Sequence, residues 1–139
     1  MWQRCFGSNG DGCDSWAFGD DADRLAKLVL QGVKIATSSA YALYAIDGES
    51  LPEAGEYSVI LDSHDNAKCI IKTAKVYVTS FDKVSEDHAY KEGEGDRSLD
   101  YWREVHENFF TRCLKEAGLA FSTSMEVVCE EFEVIYKHG

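Results

Sequence analysis

At 139 residues the chain has room for one domain with one core, and no apolar run approaches the roughly 20 residues a membrane helix needs. Twenty-five acidic residues against fourteen basic ones leave a net charge of −11. Affinity for duplex nucleic acid comes largely from Lys and Arg neutralising phosphates, so this balance excludes a sequence-blind DNA coater and disfavours an anionic membrane surface. A nucleoside or a short single strand in a local cleft stays compatible with it. The N-terminal stretch MWQRCFGSNGDGCDSW has no apolar signal-like region, so a cytoplasmic protein is expected.

In chain order, residues 1–15 read as a Gly-rich leader and 16–139 as the folded domain. WAFGD, residues 16–20, places an aromatic pair before a helix start. DDADRLAKLVLQG follows, with Leu25, Leu28 and Val29 on one helical face and Gly32 as its stop. GVKIATSS over 32–39 reads as a short strand, and AYALYAI over 40–46 as a helical turn. YSVILD and AKCIIKTAKVYVTSF, separated by SHDN, form a hairpin of β-branched and aromatic strands. Ser85 is placed to cap a helix over SEDHAYKE, and Ser98 to cap the longest helix, LDYWREVHENFFTRCLKEAG. The stripe of that helix is Leu99, Trp102, Val105, Phe109, Cys113 and Leu114. MEVVCEEFEVIYK closes the chain as a strand. Strands and helices do not alternate regularly, so the expected fold is α+β: a small mixed, mostly antiparallel β-barrel with helices packed outside it.

Five cysteines at wide spacings argue against a disulfide framework, and no CxxC or HxxxH pairing suggests a metal, so no metal and no cofactor are expected. Cys69 and Cys129 sit in apolar strands as small hydrophobes. Two segments could carry chemistry. In the first, Lys34 and Thr37 follow a helix stop three residues apart: a lysine can hold a phosphate or oxyanion, or act as a base toward a hydroxyl when desolvated. An outward Lys and a half-buried Thr on an ordinary strand is the simpler reading. In the second, HAYKEGEGDRSLDYW mixes His88, Tyr90, Glu92, Glu94, Asp96, Arg97, Tyr101 and Trp102. Its aromatics could stack on a base, although Trp102 suits a core position better. The acid pair Glu130–Glu131 falls on a strand and suggests no glycosidase dyad.

WAFGD with GVKIATSS, LPEAGEYSVILDSHDNAKCIIKT, HAYKEGEGDRSLDYWREVH and VVCEEFEVIY together resemble the ASCH family over about 120 residues, Trp16 to Tyr136. The resemblance implies a barrel close to the RNA-binding PUA domain, with a cleft between barrel and helices. It also implies a site. One small bacterial relative has the same Lys-x-x-Thr and downstream Glu and hydrolyses the amide of N4-acetylcytidine, which carries over to Lys34, Thr37 and Glu92 as catalytic residues. Ser39 stands where that relative has an arginine. Arg97, Tyr90, Tyr101 and Ser39 are then the expected substrate-binding residues. The implied activity is amide hydrolysis of an acylated pyrimidine nucleoside. The alternative is an RNA-binding module or single-strand ribonuclease using the same cleft. The implied partner is a small nucleoside or a short single-stranded RNA.

Overall fold

The computed structural model describes residues 13–18 and 22–137. Five strands form one sheet in the order β1-β3-β4-β5-β2. These are β1 (Cys13–Ala17), β2 (Ala36–Ala40), β3 (Tyr57–Leu61), β4 (Ala67–Ser80) and β5 (Glu126–Lys137). All neighbours pair antiparallel except β1 and β3, which run parallel. The sheet curls into a half-barrel with α1 (Ala22–Leu30), α2 (Tyr41–Ile46), α3 (Glu86–Glu92) and α4 (Leu99–Glu116) packed on it. Residues 13–15, assigned above to the leader, belong to β1; residues 1–12 lie outside those described. Among the described residues no helix is long and apolar enough to cross a membrane.

The expected elements form, with shifts at their ends that have local causes. GVKIATSS becomes a strand only from Ala36. The backbone N–H groups of Val33 and Lys34 both donate to the Leu28 carbonyl, so these residues close the end of α1 and leave the ladder. Gly32, at φ +76°, supplies the left-handed turn that this closure needs. Ser85 and Ser98 cap α3 and α4 through hydrogen bonds accepted from the N–H groups of His88 and Tyr101.

Two apolar clusters hold the helices to the sheet. Phe18, Leu25, Ala26 and Val29 pack with Ile60, Ile71 and Phe132. On the other face Trp102, Phe110, Cys113 and Leu114 of α4 pack with Leu43, Phe81, Val127 and Cys129. The stripe of α4 differs from expectation by one position: Phe110 is fully buried and Phe109 half-buried, because the helix turns His106 and Phe110 inward together. Cys69 and Cys129 are buried free thiols, pushed up by burial to about 11 and about 12 respectively. Cys113 is disulfide-bonded, against the expectation from spacing.

Candidate functional site

The link from α1 to β2 runs past the end of α3. The Ile35 N–H donates to the Lys91 carbonyl at 2.8 Å. Gly93, at φ +73°, ends α3 with its Cα so close to Val33 that a Cβ there would sit 2.5 Å from the Val33 carbonyl oxygen. That approach brings Lys34 onto Glu92, although 58 positions separate them.

Lys34 is fully buried, and its Nζ donates to Glu92 Oε1 and to Glu94 Oε2, both at 2.9 Å. It also lies 5.2 Å from the centre of the Phe18 ring. Burial pulls the ammonium toward deprotonation, but the charges of Glu92 and Glu94 outweigh it and raise the Lys34 pKa above its ordinary value. The resting protein therefore holds Lys34 as a cation. A desolvated neutral lysine acting as base, one of the roles considered above, does not fit this setting.

Glu92 is the hub. Oε1 faces Lys34 at 2.9 Å and His106 Nε2 at 3.5 Å. Oε2 accepts from Ser38 Oγ at 2.5 Å, from Trp102 Nε1 at 2.6 Å and from His88 Nε2 at 3.1 Å. Five donor groups exceed the roughly four lone-pair sites of a carboxylate. Burial favours its protonated form, but Lys34 and then His106 and the hydrogen bonds hold its pKa well below the usual range. Such a saturated carboxylate orients Lys34 and is a poor proton donor or acceptor. For His106, burial lowers the pKa and Glu92 more than restores it, leaving it raised. The Trp102 carbonyl can only accept, so His106 Nδ1 carries a hydrogen toward it at 2.9 Å. His88 Nδ1 is buried with no partner, its Nε2 lies 2.7 Å from Ser38 Oγ, and the Ser38 hydroxyl donates to Glu92.

Trp102 thus belongs both to the core, at 2% exposure, and to the site. Trp102→Phe keeps most of the ring and removes the N–H. It should cost about 1–3 kcal/mol in denaturant unfolding, for the loss of a hydrogen bond to a charged acceptor. Trp102→Ala should cost about 3–5 kcal/mol. Equal losses for the two variants would show that the hydrogen bond to Glu92 contributes nothing separable.

Not every expected site residue joins this cluster. Lys34 and Glu92 meet. Thr37 is half-buried on β2 and takes part in none of these bonds; the hydroxyl at the cluster is that of Ser38, since successive strand residues face opposite ways. Ser39 is buried and shares a 2.6 Å hydrogen bond with the Tyr44 hydroxyl. Arg97 donates from Nε to the Tyr90 carbonyl, and its guanidinium stacks 3.7 Å from the Tyr90 ring centre. That pair lines a groove of about 600 Å³ shared with Ser98 and Arg103. Tyr101 packs closely over Gly95. Ser38 and His106 are not foreseen from the sequence as site members, and His88 and Glu94 are named in the 88–102 segment without a role; the signals are weak: His88 and Glu92 are spaced i, i+4 on α3, as are Trp102 and His106 on α4.

Donor atoms of Glu92, Glu94 and His106 lie within 4.8 Å of one another, a spacing that suits a metal and that sequence spacing did not suggest. The cation between the two carboxylates is Lys34, so a metal ion would have to displace that ammonium.

A family profile described as the ASCH domain matches residues 14–136. The chain is similar to an ASCH domain from Lactobacillus crispatus JV V101, with TM-score 0.86 and 37% identity over 91% of this chain and 82% of that one. It is also similar to a protein from Enterococcus faecalis V583, with TM-score 0.83 and 41% identity over 89% and 77% of the two chains. A hypothetical protein at 17% identity shares the fold, with TM-score 0.60 over 88% of this chain and 98% of that one. No curated protein matches the chain.

Proposed function

The chain belongs to the ASCH domain family, which is PUA-like and RNA-associated, and on that premise we propose that it is a hydrolase of a nucleoside or RNA component that cleaves the acyl amide of an acylated pyrimidine nucleoside. The observation that carries this reading is the buried Lys34 ammonium held between Glu92 and Glu94. Burying three ionised groups is costly, and such arrangements concentrate at functional sites.

In this reading Thr37 Oγ attacks the acyl carbon, while Glu92 and Glu94 fix Lys34 as the buried positive charge of the site. A neutral nucleoside suits a chain of net charge −11 better than a polyanion does.

The test is to incubate purified protein with N4-acetylcytidine and follow release of cytidine and acetate. Thr37→Ala should lower turnover at least about a hundredfold, whereas Ser38→Ala should stay within about tenfold of wild type. The opposite pattern would move the nucleophile to Ser38. No release from N4-acetylcytidine would remove the nucleoside reading.

The groove at Arg97, Tyr90 and Arg103 favours a second reading, binding of a short single strand by stacking and phosphate contact. Binding of a fluorescent oligonucleotide that weakens steeply with salt, and weakens further in Arg103→Ala, would support it. No binding at low salt would exclude it.

A further inference from the structure

Thr37 needs a proton acceptor, and strand alternation turns it away from the cluster that holds Lys34, Glu92 and His88. Lys34 is held as a cation, and Glu92 is saturated by donors. The other face of the sheet offers a group that the foregoing reading leaves unused.

β2 and β5 pair antiparallel with Thr37 directly opposite Glu130 and Ser38 opposite Cys129. Residues directly opposite in an antiparallel pair project from the same face, with Cβ atoms about 4.5–5.5 Å apart. Ser38 and Cys129 share the face that holds Glu92, as their hydrogen bond requires. Thr37 and Glu130 therefore stand side by side on the opposite face. Glu130 is 6% exposed, on a strand flanked on both sides. Among the described residues its carboxyl forms no ion pair and no hydrogen bond, the neighbouring Thr37 hydroxyl included, and the charged groups that act on it, Glu56 and Glu92, are both acids. An acid on so buried a residue, with no cation beside it, costs stability, so its position beside the Thr37 hydroxyl is the kind of feature that function retains.

We propose that Glu130 is the catalytic base and proton shuttle for Thr37, a role that rests on the reading of Thr37 as the nucleophile. As the Thr37 Oγ–acyl carbon bond forms, the Oγ proton passes to the Glu130 carboxylate and the carbonyl electron pair moves to oxygen. As the carbon–nitrogen bond breaks, its electron pair goes to the exocyclic nitrogen, which takes the proton from Glu130 and leaves as the free amine. Water then attacks the acyl-threonine, giving its proton to Glu130. The proton returns to Oγ as the carboxylic acid departs. Burial and the two neighbouring acids push Glu130 up to about 7, which suits a group that must both accept and return a proton near neutrality.

The experiment uses two acyl donors on the full chain: N4-acetylcytidine, and p-nitrophenyl acetate, an activated ester that needs no nucleoside recognition. Nucleoside release is read by chromatography, and acetylation of Thr37 by peptide mass spectrometry. Glu130→Gln should slow Thr37 acetylation at least about a hundredfold, while Glu130→Asp stays within about tenfold of wild type. A melting curve confirms that both variants fold. Thr37 acetylated by p-nitrophenyl acetate at the wild-type rate in Glu130→Gln, or not acetylated at all in the wild type, would overturn the proposal. So would undiminished turnover of N4-acetylcytidine by Glu130→Gln. Glu130-dependent acetylation of Thr37 with N4-acetylcytidine left intact supports the Thr37–Glu130 pair and removes only the nucleoside reading.

Discussion

Lys34→Met should lower the unfolding free energy by about 3–5 kcal/mol, because it leaves buried carboxylates without their cation. Methionine keeps a flexible unbranched stem, so lost packing contributes little. The damage falls unevenly. Glu92 keeps hydrogen bonds from Ser38, Trp102 and His88, whereas Glu94, buried at 8% exposure, loses the ammonium 2.9 Å from its Oε2. For a domain of this length the loss corresponds to a melting temperature lower by roughly 10–20 °C. Adding Glu94→Gln to Lys34→Met should recover a large part of it. The pH dependence has a defined shape. The depressed Glu92 pKa gives stability that is full above the unfolded value of 4.5 and is lost as pH falls through the folded one. The raised Lys34 pKa gives stability that is full below 10.5 and is lost as pH rises through the folded value. The difference between wild type and Lys34→Met should thus be a plateau between about pH 4.5 and 10.5 that declines on both sides. A loss under about 1 kcal/mol on that plateau would mean that water or rearrangement, and not Lys34, balances these acids.

How much of this was readable beforehand depends on how local the cause is. The β3–β4 hairpin, the Ser85 and Ser98 caps and the closing strand follow from β-branched runs and capping residues, and these elements form where expected. β1 was not readable, because five residues in a Gly-rich stretch gain strand structure only from pairing with β3. Lys34 and Glu92 were linked through the family resemblance, and not through spacing. Glu94 and His106 join them only because Gly93 lets the chain turn tightly against Val33 while α4 lays His106 over Trp102, the two rings stacked at 4.3 Å. The pair Glu130–Glu131 is the instructive case. Weighed as a dyad it suggested nothing. Strand alternation separates the two: Glu131 makes an ion pair with Lys91, while Glu130 is buried beside Thr37. Which acid faces inward is a register question, decided by pairing with β2 and β4.

That burial has a thermodynamic signature of its own. Burial first, then the charges of Glu56 and Glu92, raise Glu130 from 4.5 to about 7 in the folded protein. The folded state then binds this proton more tightly than the unfolded chain does. The stability it contributes is fully present below pH 4.5 and drains away as pH climbs to about 7, leaving a constant deficit above that. A displacement of this size corresponds to roughly 3 kcal/mol. Glu130→Gln keeps the shape and removes the titration. It should therefore match wild type near pH 4 and exceed it by up to about 3 kcal/mol at pH 8, as read from urea unfolding at pH 4, 6 and 8. Subtracting the two curves cancels the other carboxylates, including Glu92, whose contribution runs with the opposite sign. A flat difference across that range would show that Glu130 titrates like an exposed acid. A variant that gains stability at pH 8 while losing acyl transfer to Thr37 would locate the cost of this acid in function, since a residue kept for packing has no reason to destabilise the fold at neutral pH.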